Sequence, residues 1–143
     1  MKQLTFSGGI HPAGNKSGTE RMPLMEIAPP GLLYFPLGQH IGAPLPPTVK
    51  VGDTVLRMQK IADTKSYMSA PLHSSVSGRV KDIGLYLNHT NTKVPTIVIE
   101  NDGQDTPAEP LTNKNPDNMS PEEMRKIIRE AGIVGMGGAG FPT

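Results

Sequence analysis

The stretch Lys50–Val80, KVGDTVLRMQKIADTKSYMSAPLHSSVSGRV, decides how the chain folds. Val49 and Val51 alternate with polar residues as a first strand candidate and run into Gly52-Asp53, a pair suited to a tight turn. Val55 to Ile61 reads as one strand, Tyr67 to Pro71 as an extended piece, and Ser77 to Ile83 as a further strand. Ser77-Gly78 gives the chain a place to bend, because glycine leaves room where two backbones approach. Outward from this stretch, Leu32-Leu33-Tyr34-Phe35 and Val94 to Ile99 add strand candidates rich in aromatic and β-branched residues. Pro71 and Pro95 belong at strand ends or edges, since proline donates nothing to a ladder. Short strands at this spacing, divided by Gly, Pro, Asn and Asp, predict a mainly β barrel or sandwich over residues 32–101.

Composition narrows the function classes. Sixteen Gly and fifteen Pro in 143 residues exclude a helical bundle or coiled coil. A net charge of +1 leaves no basic footprint for nucleic acid, and six aromatic residues without Trp supply no stacking platform. The sequence contains no Cys, so it offers no disulfide, thiolate metal ligand or cysteine nucleophile. No apolar run approaches the ~18 residues that span a bilayer, and no signal-peptide core opens the chain; direct membrane insertion is not expected. The sequons at Asn15, Asn88 and Asn118 are read as coincidental for that reason.

Residues 1–31 read as an extended N-terminal arm, with turn chemistry at Ser7–Pro12 and Asn15–Gly18. Too few apolar groups are present for a core of its own, so the arm is expected to lie over a neighbouring domain. Residues 102–119 read as a linker. It ends at a helix start: Ser120 can cap, Pro121 suits the first helical position and Glu123 completes a capping box. Met124, Ile127, Ile128 and Ala131 then form one apolar stripe, and Gly132 stops the helix. That face calls for a partner surface, expected in residues beyond Thr143.

The C-terminal residues Gly135-Met136-Gly137-Gly138-Ala139-Gly140-Phe141-Pro142-Thr143 are the candidate binding loop. Glycines of this density let backbone amides approach an anion, as phosphate-cradling loops do. The G-x-G-x-x-G spacing lacks the strand before it and the acidic ribose partner after it that a Rossmann fingerprint needs. His11, His40, His73 and His89 have no metal-binding spacing and read as hydrogen-bonded loop residues. His11 and His40 border Gly/Pro stretches and could fasten the arm to the β domain. Glu122-Glu123 is explained by the helix start, and no nucleophile–base arrangement is recognisable; no catalytic residue is assigned.

The order Gly52-Asp53-Thr54-Val55, Gln59, Ile61, Ala70-Pro71 and Ser77-Gly78-Arg79-Val80 resembles biotinyl/lipoyl-type domains. The resemblance implies a barrel-sandwich hybrid for residues 32–101. Lys65, in Asp63-Thr64-Lys65-Ser66, falls where such domains carry a modified lysine. The stretch from Ile61 to Ala70 is too short for a projecting hairpin, so Lys65 is expected to be a solvated surface lysine. A stand-alone carrier or protein-binding module is the alternative.

Gly138-Ala139-Gly140-Phe141-Pro142-Thr143 with the preceding Gly137 resembles the flavin- and NADH-binding loop of the 51 kDa flavoprotein subunit of respiratory complex I. Gly8-Gly9-Ile10-His11-Pro12, Gln39-His40-Ile41-Gly42-Ala43-Pro44, Lys50–Val55 and Ser69-Ala70-Pro71-Leu72-His73 resemble the start of the RnfC subunit of the Rnf ion-translocating electron transport complex. This resemblance implies that the sequence is the N-terminal part of a longer subunit, with residues 120–143 opening an FMN/NADH-binding domain. Gly135, Gly137, Gly138, Ala139, Gly140, Phe141, Pro142 and Thr143 would line that nucleotide site. The longer subunit would hold FMN, bind NADH and carry two [4Fe-4S] clusters, with none of these expected on the present residues alone. Its implied partners are the other Rnf subunits and ferredoxin, on the cytoplasmic side of the inner membrane.

Overall fold

The computed structural model describes residues 13–111, 115–136 and 138–142. Two antiparallel sheets of unequal size enclose one core. The larger has the order β1–β6–β5–β2, with β1 Leu32–Pro36, β2 Thr54–Val55, β5 Gly78–Leu87 and β6 Lys93–Asn101. The smaller pairs β3 Lys60–Ala62 with β4 Leu72–His73. Phe35, Leu37, Leu45, Val49, Val55, Ile61, Ala62, Val76, Val80, Ile97 and Ile99 fill the space between them. The fold is mainly β and two-layered, as the strand spacing predicts and as the resemblance to biotinyl/lipoyl-type domains implies, with one α-helix, α1 Pro121–Glu130, among the described residues.

The long β5–β6 hairpin is the backbone of the domain. Its register runs from Gly78 opposite Asn101 to Leu87 opposite Lys93, with a bulge between Val80 and Asp82. Alternation places Ile97 and Ile99 in the core, while Val98 and Thr96 face outward beneath the edge-to-face pair Tyr34–Tyr86, whose centroids lie 5.2 Å apart. At the other end of β5 a Cβ on Gly78 would stand 2.0 Å from the Glu100 carbonyl oxygen, so only glycine lets the strands close there.

Two local expectations are corrected. Val49–Val51 is not a strand: Val49 reaches the core, but Lys50–Asp53 is a turn, closed by Asp53 N donating to Lys50 O and Lys50 N to the Asp53 carboxylate. Val55–Ile61 is broken into β2 and β3 by a corner at Leu56–Gln59. There Met58 adopts φ +69° and the Leu56 amide donates to Gln59 Oε1 at 2.9 Å, which carries the chain from one sheet to the other. Pro95 lies inside β6 but past the last β1–β6 pair, so the side its nitrogen faces is an edge, as the sequence predicts. Its nitrogen faces the side where β1 has already ended, and its carbonyl accepts from Leu37 N at 2.9 Å, so no ladder donor is lost. Pro71 does stand at a strand end, before β4.

Residues 13–31 are exposed throughout, joined to the sheet where Asn101 N donates to Gly31 O and Asn101 Nδ2 to Pro30 O. The chain after β6 remains laced to the β domain: Arg57 N donates to Thr106 O, Ala108 N to Arg57 O and Thr106 N to Ser77 Oγ. Gly8–Pro12 and His11 lie outside the described residues.

Candidate functional site

Helix α1 forms as its caps dictate. Ser120 Oγ accepts from Glu123 N and the Glu123 carboxylate accepts from Ser120 N, a complete capping box with Pro121 just inside. None of its residues is buried, and Met124 of the apolar stripe is exposed. The β domain meets the helix with a polar clamp instead. Arg129 forks onto Asp63, with Nη2 donating to Oδ1 at 2.7 Å and Nη1 to Oδ2 at 3.2 Å. Arg129 Nη2 also donates to Thr64 O at 2.6 Å and to the buried Ser69 hydroxyl at 3.1 Å. Lys60 Nζ bridges Asp63 Oδ2 at 2.8 Å and Glu130 Oε2 at 2.5 Å.

Partial burial pushes the Asp63 carboxyl up, but hydrogen bonds from Arg129, Lys60 and the Thr64 amide outweigh it and hold the group at about 2. The Lys60 hydrogen bond lowers Glu130, and the Asp63 bond raises Arg129. All four groups therefore stay charged across the physiological range. Immediately after the helix, Gly132 takes φ +71°, and a Cβ there would stand 2.5 Å from the Pro71 carbonyl oxygen. This turn covers His73, whose imidazole is pushed below its usual 6.5 by burial and by the nearby Lys60 charge.

The glycine loop doubles back on the β domain. Gly135 N donates to Phe141 O at 2.8 Å, and Val134 pairs with Pro142. Ile41 N donates to Gly140 O at 3.2 Å, seating the loop on the Gln39–Gly42 turn. That turn is itself held: His40 Nδ1 lies 3.0 Å from Ile41 O, and His40 Nε2 accepts from Ala70 N at 3.2 Å. His40 Nε2 also lies 3.1 Å from Ala70 O. His40 thus joins the Gln39–Gly42 turn to the loop before β4, not to the described part of the arm.

Of the predicted site residues, Gly135, Gly138, Ala139, Gly140, Phe141 and Pro142 come together in this loop, whereas Gly137 and Thr143 lie outside the described residues. The amides of Gly138, Ala139 and Gly140 have no acceptor among the described residues, and a Cβ on Gly138 would meet open space. Gly138 and Ala139 are exposed and Gly140 is half-buried against Gln39 and His40; unengaged amides in a glycine turn are the kind of group that anion-cradling loops use. Phe141 and Pro142 also close one end of a cleft of about 1300 Å³ between α1 and the residue 63–69 loop. The clamp residues Asp63, Arg129, Lys60 and Glu130 were missed from sequence; Asp63 and Arg129 lie 66 positions apart, and no local pattern links them.

Lys65 is exposed on the residue 63–71 loop, which is folded on itself by Asp63 Oδ1 accepting from Thr64 N and Ser69 Oγ donating to Ser66 O. The loop joins the antiparallel pair β3–β4, and Lys65 lies on its first side and not at its middle. His89 is exposed in the β5–β6 turn. Among the described residues no three His, Asp or Glu side chains form a metal-binding group, and no helix is long and apolar enough to cross a membrane.

Two sheets around one core, joined by a sharp corner and a shortened β3–β4 loop, define a barrel-sandwich hybrid domain. A family profile described as the RnfC barrel sandwich hybrid domain matches residues 4–104, and the chain belongs to that family. It is 48% identical over 141 residues to the C subunit of the proton-translocating ferredoxin:NAD(+) oxidoreductase complex of Clostridium ljungdahlii, covering 97% of this chain and 31% of that protein. The C subunit of the Na(+)-translocating ferredoxin:NAD(+) oxidoreductase complex of Acetobacterium woodii is 39% identical over 144 residues, covering 100% of this chain and 32% of the relative. The C subunit of the ion-translocating oxidoreductase complex of Rhodobacter capsulatus is 40% identical over 145 residues, covering 100% and 28%. The chain thus spans about a third of the length of these relatives.

Proposed function

We propose that these residues are the N-terminal part of a peripheral RnfC-type subunit in a complex that couples electron transfer between NADH and ferredoxin to ion translocation. The observation that carries the reading is the match of a subunit-specific domain profile to residues 4–104, with similarity to named complex subunits running on through the glycine loop. In this reading residues 32–101 are a scaffold and docking domain, with residues 1–31 as its arm and 102–119 as the connection. Residues 120–143 open the FMN/NADH-binding domain.

When bound, FMN would supply the conversion between two-electron hydride chemistry and single-electron transfer. The chain's own part is to bind and orient. Gly138, Ala139 and Gly140 would present amides to a nucleotide phosphate, while the contact of Gly140 with Ile41 and the Arg129–Asp63 clamp would fix the loop against the β domain. With no Cys in this sequence, the two [4Fe-4S] clusters would be held elsewhere in a longer chain. The subunit would sit on the cytoplasmic side of the inner membrane.

The test is the native gene product isolated from its own membranes. A polypeptide about three times this length, carrying FMN and iron–sulfur absorbance, supports the reading. Deleting residues 32–101 should then release the subunit from the complex. A colourless native chain ending near Thr143 would refute it.

A further inference from the structure

β5 is ten residues long, yet its outer edge is covered only at its start. β2 pairs with Gly78 and Arg79, and the Gly52–Asp53 turn reaches Val80, with Val80 N donating to Asp53 O at 2.9 Å and Gly52 N to Val80 O at 2.8 Å. Beyond Val80, nothing among the described residues pairs with that edge. The direction of the free groups follows from β6. Pro95 turns its carbonyl toward β1, where Leu37 N donates to it, so its cross-strand partner Leu85 turns its own N–H and C=O away from β6. Strand alternation gives Ile83 and Leu87 the same orientation. The amides and carbonyls of Ile83, Leu85 and Leu87 therefore stand in ladder register with no partner among the described residues.

Side chains reinforce the point. Leu85 and Leu87 are 64% and 63% exposed on the face that continues the core beyond its end. Natural edges are blunted by charge, proline or a bulge. Here the bulge and the charged Lys81 and Asp82 come first, and Ile83 to Leu87 carry no charge. Asp82 is moreover engaged by the Tyr86 hydroxyl at 2.5 Å on the opposite face.

We propose that the Ile83–Leu87 edge is a docking strip that takes an extended segment of another subunit as an added β-strand. The occupant has about five residues, an amide at each position that meets the edge, and apolar side chains on the face shared with Leu85 and Leu87. At ~3.4 Å per residue the strip is only ~17 Å long. Its area falls well short of the ~800 Å² per partner of a stable free-standing interface, which favours a segment of a protein already held in the same assembly over pairing of two free copies. The inference rests on the proposed place of the chain in a complex.

The test uses the full-length subunit in its purified complex, with a photo-crosslinking residue at position 85. A crosslinked peptide from an extended segment of another subunit is the expected result. Leu85→Pro, which removes an outward amide together with the exposed leucine side chain, and Leu85→Lys with Leu87→Lys should each weaken retention of the subunit about tenfold while thermal unfolding of the isolated subunit is unchanged. Crosslinking only to a second copy, no crosslink in an intact complex, or unchanged retention of both variants would overturn the proposal. If the unmodified subunit retains no partner at all, the proposed function fails and this inference with it.

Discussion

The β domain and the segment that follows it are held by opposite kinds of force. Residues 32–101 close around a core of buried apolar side chains, with Val55, Ile61, Ala62, Ile97 and Ile99 fully excluded from water. Helix α1 buries none, and is fixed by four charges, two hydroxyl and carbonyl contacts and a glycine turn. Hydrophobic burial is non-directional and indifferent to pH, whereas an ion-pair clamp fixes an angle and responds to protons and salt. The first region is built to exist, and the second is built to be aimed.

The largest expected effect strikes the first region. Ile97→Ala deletes a fully buried side chain between the two sheets and should cost about 3–4 kcal/mol, read as a lower urea midpoint for the whole β domain. Asp63→Asn should leave that midpoint nearly unchanged while weakening helix docking by about 1–2 kcal/mol, seen as roughly tenfold faster hydrogen exchange in α1. Equal loss in both regions would break the contrast. Ser120→Ala removes one half of the capping box and should cost about 1 kcal/mol, confined to the amides of the first turn.

Acid sharpens the same division. Asp63 is held at about 2 in the folded state, so its contribution is complete above the usual carboxylate range and is lost as pH falls from about 4 toward 2. Protection of the α1 amides, measured against their intrinsic exchange rates at each pH, should fall through that window before that of the β5–β6 amides. The smallest effect belongs to His73. Its folded value lies below 6.5, so the unfolded chain binds more protons just below that pH, and stability falls as pH drops below 6.5. His73→Gln should flatten that slope, as measured by thermal unfolding between about pH 5 and 7.

Much of this was legible wherever physics is local. Runs of aromatic and β-branched residues marked β1 and β6, Ser77–Ile83 marked the first half of β5, and Ser120, Pro121, Glu123 and Gly132 marked α1 almost to the residue. The corner at Leu56–Gln59 was not legible, because Leu-Arg-Met-Gln contains no Gly, Pro, Asn or Asp. Its left-handed residue is Met58, stabilised by the Gln59 side chain. In the candidate site, glycine density pointed to Gly135–Pro142, but the seat on Ile41 and the Arg129–Asp63 clamp depend on contacts between segments distant in sequence. The apolar stripe of α1 pointed to a buried face. Arg129, beside that stripe, finds the dominant partner instead.

The Gln39–Gly42 turn has a further consequence for how such a chain can vary in length. Its neck is closed by Leu45 N donating to Leu37 O, His40 is tied to Ala70, and Ile41 to Gly140. Surface loops usually absorb an extra residue at little entropic cost. A loop fastened at three points has no slack: one insertion between Leu37 and Leu45 would pull His40 from Ala70 or unseat the glycine loop. Insertions and deletions should instead collect in residues 13–29, where every side chain is exposed and no packed segment depends on the count.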